Sequence, residues 1–248
     1  MVLLPLIVQR REFHVLKAKW RRFLWAGVCT TALPFTLLSY VSLSMTAGHT
    51  SLLNATVPMF SAIIAWFWLK ETLTRVGIAG LVLGFIGVFV LASPEGGDYT
   101  TMVLPILAAI VATNLYAYGS CYTTLYLREF PSITVTAGSQ MYSALFMLPF
   151  GLWFWPQTSP SLLSWGCALA LGILCTAIAL IMFYHLLKRI GVAKTVSVTY
   201  LIPVFGILWG MLFLGEALTP NMLLGGLLVM GGVGLTTSSS AKKGVSYS

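Results

Sequence analysis

The chain has 248 residues, of which 58% are hydrophobic and only 8% charged, with a mean hydropathy of +0.91 and a formal net charge of +8. Soluble domains carry roughly 25% charged residues, so this composition excludes an ordinary soluble fold and marks a membrane protein. Nucleic-acid binding is excluded on the placement of the cations, which lie in short loops between apolar runs and are not interleaved with aromatics on one surface.

A helix needs about 20 apolar residues to cross the hydrocarbon layer. The stretches free of Asp, Glu, Lys and Arg therefore hold one or two crossings each. In chain order, "MVLLPLIVQ" is too short for a crossing, and a basic segment follows from Arg10 to Arg22. Helices are expected over 24–45 and 49–69, separated by "TAGHT", and over 75–92, begun by Thr74. A loop, 93–101, leads to helices at 102–125 and 133–154, and "WPQTSPSLLS" separates the latter from 165–187. The last two are 195–214 and 221–237, the second opened by Thr219 as N-cap and Pro220 in the first turn. The tail is 238–248. These eight helices make an all-α, polytopic bundle.

All 14 Lys and Arg fall in the Arg10–Arg22 segment, "KETLTR", "YLREF", "KRIGVAK" and the tail, which eight alternating crossings place on one side. The opposite loops hold none. By the positive-inside rule the basic side, and with it the C-terminus, is cytoplasmic.

The chain also repeats itself. An offset of 145 lays Pro58 on Pro203, Phe60 on Phe205, Glu71 on Glu216 and Leu73, Thr74 on Leu218, Thr219. It continues backward through Gly27 with Gly172 and Thr31 with Thr176, and forward through Gly80 with Gly225 and Gly87 with Gly232. The helix carrying Pro58 runs toward the cytoplasm and that carrying Pro203 runs away from it. The copies are inverted, the arrangement of secondary transporters that expose one central site to either side in turn. The second copy, 102–237, has five helices. The first, 1–92, has three and the end of another, so about one and a half helices are expected to be missing from its start.

Residues 52–92, "LLNATVPMFSAIIAWFWLKETLTRVGIAGLVLGFIGVFVLA", and 198–235, "VTYLIPVFGILWGMLFLGEALTPNMLLGGLLVMGGVGL", each have a small polar cluster, a Pro, a Glu near Leu-Thr and a Gly-rich last helix. They resemble the EamA family of the drug/metabolite transporter superfamily. The resemblance implies two inverted five-helix repeats around a central cavity, exporting or exchanging small organic metabolites, amino acids among them. Only eight of the family's ten helices are complete here. A bacterial cell inner membrane is the expected location.

Polar side chains at membrane depth are expensive unless they pair or line a cavity. Thr50, Asn54, Pro58 and Ser61 share one helical face, and Thr195, Thr199, Pro203 and Gly206 occupy the same register in the second copy. These face the expected substrate cavity, with Asn114 and Tyr118 one turn apart, Gln140 two turns into its helix, and Tyr200 as an aromatic wall. Helix–helix hydrogen bonding is the alternative use of such residues. Glu71 and Glu216 end their helices at an interface and suit a role in the turn or in gating. No Asp or Glu lies at mid-membrane, so proton coupling has no evident carboxylate.

The glycines of the last helix in each repeat permit close backbone approach within a chain or in a homodimer. Cys29, Cys121, Cys167 and Cys175 have no metal or disulfide spacing, and no Walker loop, "HExxH" or "GxGxxG" appears, so no cofactor is expected. The expected partners are a small organic metabolite and membrane lipids. An ion channel, a membrane enzyme and a purely structural subunit are the other classes; a catalytic carboxylate cluster or a nucleophile beside a base is not evident.

Overall fold

The computed structural model describes residues 13–68, 73–92, 99–196 and 201–241, and they are helical with short connections. The helices are α1 (Phe13–Ala18), α2 (Trp20–Gly27), α3 (Leu33–Val41), α4 (Ala47–Asn54), α5 (Val57–Trp68), α6 (Arg75–Ala92) and α7 (Tyr99–Tyr126). They continue as α8 (Ser132–Trp153), α9 (Leu162–Ala170), α10 (Ala179–Val196), α11 (Leu201–Leu214) and α12 (Pro220–Ala241). π-Helical stretches, Val28–Ala32 and Leu171–Ile178, join α2 to α3 and α9 to α10. The repeat offset carries 28–32 onto 173–177, so the wide turn recurs at one register in both copies. Such turns loosen the regular hydrogen-bond ladder.

Among the described residues, five stretches are long and apolar enough to cross a membrane: Trp20–Val41, Ala47–Trp68, Met102–Tyr126, Leu162–Leu186 and Pro220–Thr237. Arg75–Leu91 and Leu201–Leu214 are shorter apolar helices. The expected crossing at 133–154 is present as the 22-residue α8, but it is not among the five, because Thr, Ser and Gln fill its first half. Three further expectations change. The helix expected over 24–45 stops at Val41. The one expected over 49–69 is broken at Ala55–Thr56. The one expected to end at 187 runs on through Val196 as α10, and α11 is described from Leu201.

The chain forms two compact units, each drawing on both repeats: residues 1–32 with 122–191, and 33–121 with 192–248. In the first unit, α2 packs on α8 through glycine. Gly27 meets the Ser139 carbonyl, and Gly138 receives Leu16 and Phe23, both fully buried. The Tyr142 hydroxyl donates to the Leu16 carbonyl at 3.1 Å. By contrast α9 and the π-helical stretch after it present exposed apolar side chains, as a lipid-facing helix does.

The second unit is built on the pairing of α6 with α12, the last helices of the two repeats. Gly80, Gly84 and Gly87 lie against Gly225, Val229, Gly232 and Thr236, or in the case of Gly84 also against Met59. The Thr236 hydroxyl bonds the Gly232 carbonyl at 2.8 Å. Glycine brings the two backbones together where larger residues would hold them apart, and dispersion contacts replace a hydrophobic driving force that lipid does not supply. Around this seam Leu52, Met59, Leu81, Val88, Val229 and Val233 form the apolar core. Thr74 accepts the Gly77 N–H and Thr219 the Met222 N–H, each at 3.2 Å, capping the two helices in the same way.

Candidate functional site in a broken helix

The second unit contains a discontinuous crossing. α4 is eight residues long, and its ladder tightens at the break: Ala55 N–H bonds Ser51 O at 3.0 Å and Thr56 N–H bonds Leu53 O at 3.1 Å. Pro58 has no N–H to return to the Asn54 carbonyl, which is why the ladder fails here. Broken helices at membrane depth are tolerated where they are packed in protein or line a cavity.

Thr50 and Asn54 precede the break and Ser61 follows it. Thr50 Oγ1, Asn54 Oδ1 and Ser61 Oγ are all buried and have no hydrogen-bond partner in the chain. A buried polar group left unpaired costs about 1–3 kcal/mol. The three lie on one crossing, two of them hydroxyls that can donate or accept and one an amide oxygen that accepts. Pro58 is buried between them in sequence.

The N-terminus of α4 is fully paired. Thr46 Oγ1 accepts the His49 N–H at 3.2 Å, and the Thr50 N–H reaches the Thr46 carbonyl at 3.0 Å. Glu216 completes the set: Oε1 accepts from Ala47 N–H at 2.7 Å and Oε2 from Gly48 N–H at 3.1 Å. The bond from Glu216 crosses between repeats, where sequence position alone suggests a role in the turn or in gating without naming a partner. The signal that could have revealed it is the absence of any acidic residue in the first turn of α4, where a negative charge is favoured.

Other expected residues are placed as follows. Asn114 donates Nδ2 to the Ile110 carbonyl of its own helix at 2.9 Å. Tyr118 stacks on Trp68, with ring centres 5.0 Å apart. Pro203 is buried on α11, in the second unit. Gln140 belongs to the first unit, where Nε2 donates to Thr31 Oγ1 at 3.0 Å, a helix–helix bond. Glu71, Thr199 and Tyr200 lie outside the described residues, as does the side chain of Thr195, whose backbone is in α10.

The first unit holds a hydroxyl cluster that sequence reading missed. The fully buried Tyr184 hydroxyl is in range of those of Thr30, Thr123 and Ser139, yet neither it nor Thr123 Oγ1 makes a well-formed hydrogen bond. The cluster is polar but incompletely paired. Two open clefts of about 500 and 320 Å³ also belong to this unit. The larger is lined by Arg22, Leu125, Tyr126, Arg128 and Glu129, the smaller by Pro131, Ser132, Ile133, Ile181, Met182 and His185. None of the expected cavity residues lines them. Among the described residues no group of His, Cys, Asp and Glu is placed to hold a metal.

The model of the EamA-like transporter family matches residues 1–93 and 103–238. The chain belongs to the EamA-like transporter family. It is 28% identical over 249 residues to the uncharacterized transporter YvbV of Bacillus subtilis, covering 97% of this chain and 80% of that one. It is 30% identical over 200 residues to a probable terminal-alkyne amino-acid exporter of Streptantibioticus cattleyicolor, covering 79% of this chain and 66% of the relative. A solved crystal structure superposes with a TM-score of 0.66 at 21% identity, covering 92% of this chain and 80% of its own. That likeness shows the fold. This EamA-like chain is therefore a multi-pass helical membrane protein with a transporter's architecture.

Proposed function

We propose that this EamA-like protein is a secondary or facilitative carrier that exports small organic metabolites, amino acids among them, by alternating access of its two inverted repeats. The observation that carries the reading is the broken α4–α5 crossing with three orphaned oxygens. Thr50, Asn54 and Ser61 offer acceptors to a ligand rich in N–H groups, and an ammonium group supplies three. The relative named as a probable amino-acid exporter supports the same class of substrate. Pro58 leaves the Asn54 carbonyl without its ladder donor, Pro203 occupies the matching register in the second copy, and Tyr118, Asn114, Thr195, Thr199 and Tyr200 remain candidates for the cavity wall. The protein sits in a cell inner membrane with its basic loops and tail cytoplasmic.

Thermal denaturation of the purified protein against a panel of amino acids and related amines tests this. A ligand that binds only the folded state at 100 times its Kd adds about 2.7 kcal/mol, a shift read directly in the melting curve. Wild type is expected to be stabilised by at least one primary amine. Asn54→Leu, of similar size but without the acceptor, is expected to lose that shift while keeping its unliganded melting temperature. A panel in which every amine leaves wild type unmoved would contradict the proposed substrate class.

A further inference from the structure

We propose that α11 is a gate, and that Glu216 is the latch holding it shut against α4 at the non-cytoplasmic end of the second unit. The inference rests on the carrier reading above.

The latch is built by the local sequence. α11 ends at Leu214, Gly215 takes the left-handed conformation with φ of 65°, and Glu216 N–H returns to the Gly210 carbonyl at 3.1 Å. This six-residue closure is a glycine-terminated helix end, and glycine adopts its conformation without the Cβ penalty. The reversal brings the Glu216 side chain back along α11 to the start of α4. There its two oxygens take the N–H groups of Ala47 and Gly48. Both are charge-assisted bonds, the stronger kind, at a helix end that favours an anion.

The rest of the contact has little to interlock. On α4 the seam consists of Ala47, Gly48 and Ser51; on α11 it consists of Gly206, Gly210 and between them Ile207, the one large side chain of α11 packed against the apolar core and beside Gly48. A methyl group at Gly206 would overlap the Ser51 side chain, and one at Gly210 would overlap Glu216 Oε2 and lie 3.7 Å from Ala47 Cβ. Apart from Pro203 and Gly210, the described side chains of α11 are exposed or half-buried. Its other long apolar residues, among them Phe205, Trp209 and Phe213, point away from the core. A helix held along a seam of small residues and clasped at its end by one carboxylate can part from its neighbour as a unit, because only Ile207, itself half-buried, has to leave the core. Opening it exposes Ser51, one residue from Thr50 and three from Asn54.

The test uses Ser51→Cys, a near-isosteric change, in full-length protein whose four native cysteines have been replaced. Its rate of modification by a membrane-impermeant maleimide reports opening of the seam without any substrate. In otherwise wild-type protein the reaction is expected to be slow. Glu216→Gln keeps one acceptor but turns an amide N–H₂ toward the Gly48 N–H, so labelling should accelerate about tenfold or more. Glu216→Asp, which keeps the charge on a shorter arm, should fall between. Equal labelling of Ser51→Cys with and without Glu216→Gln, in proteins of equal melting temperature, would overturn the latch.

If Glu216→Gln does not fold, Glu216→Asp carries the test alone, and labelling of Ser51→Cys as slow with Glu216→Asp as without it would overturn the latch. The two readings fail separately. Absence of flux from wild-type protein with latch-dependent labelling intact sinks the carrier reading alone, and unchanged labelling with saturable flux sinks the latch alone.

Discussion

Replacing Gly232 by Ala tests the seam on which the second unit is built. A methyl group there would lie 2.5 Å from the Gly80 carbonyl oxygen and 2.7 Å from Gly84 Cα, and nearer still to the Gly84 nitrogen. All three are backbone atoms of α6, so no side chain can swing aside and the helices must separate. Overpacking of this kind costs about 1–3 kcal/mol, offset by less than about 1 kcal/mol of helix propensity gained over glycine. The neighbours supply controls on the same helix. At Gly231 a methyl group would meet only Leu83 Cδ2 at 3.6 Å, an ordinary contact, and at Gly234 it would meet nothing within 4 Å. Thermal unfolding in detergent, followed by loss of the monodisperse peak, should therefore rank the variants. With a net cost of about 1–2 kcal/mol, Gly232→Ala should melt about 2–8 °C below wild type, on the scale of about 2–4 °C per kcal/mol for a chain of this size. Gly231→Ala and Gly234→Ala should match or exceed wild type. If all three behaved alike, glycine-mediated packing of α6 on α12 would be refuted.

Three other outcomes follow from the same structure. Thr31→Val removes the acceptor of Gln140 and strands its amide, which should cost about 1–3 kcal/mol; adding Gln140→Leu should recover part of this in a double-mutant cycle of unfolding free energies. Tyr184→Phe deletes a buried hydroxyl that makes no well-formed bond, so its melting temperature should be unchanged or raised, whereas Tyr184→Ala should lose about 3–5 kcal/mol through the cavity it leaves. Single cysteines at Lys243 and Gly97 in intact cells test the topology: an impermeant thiol reagent should reach Gly97→Cys and spare Lys243→Cys, and the reverse pattern would invert the orientation.

Much of the fold was legible because the bilayer imposes one rule, that apolar runs of about 20 residues become helices. The charges between those runs mark where they end, and Thr74 and Thr219 announce the starts of α6 and α12. What the sequence left obscure depends on side chains from distant segments. The break at Ala55–Thr56 has Pro58 as its signal, but a proline in a membrane helix also permits a simple bend, and hydropathy is the same on both sides. The continuation of α10 through Val196 went unseen because "KRIGVAK" reads as a charged loop, although charges are compatible with a helix that extends beyond the hydrocarbon layer. Of the candidate site, the shared helical register of Thr50, Asn54 and Ser61 is legible from spacing, and their unpaired oxygens are not. Gln140 was identified as polar, but its bond to Thr31 in the other repeat requires the packing of α8 on the first π-helical stretch. Glu216 shows the limit most clearly. Its position at the end of α11 could be read, while its partners at Ala47 and Gly48 lie 169 and 168 residues away and are backbone groups that no sequence pattern distinguishes.

The measurement that tests the account most directly is flux through purified protein in sealed vesicles without ATP. Vesicles loaded with an amine that stabilises the protein should take up the same labelled compound by counterflow, saturably, and faster than protein-free vesicles. The Asn54→Leu variant, reconstituted to the same density, should lose most of that flux. Uptake that rises linearly with concentration and matches protein-free vesicles, or an Asn54→Leu variant as active as wild type, would contradict a carrier whose site lies in the broken α4–α5 crossing.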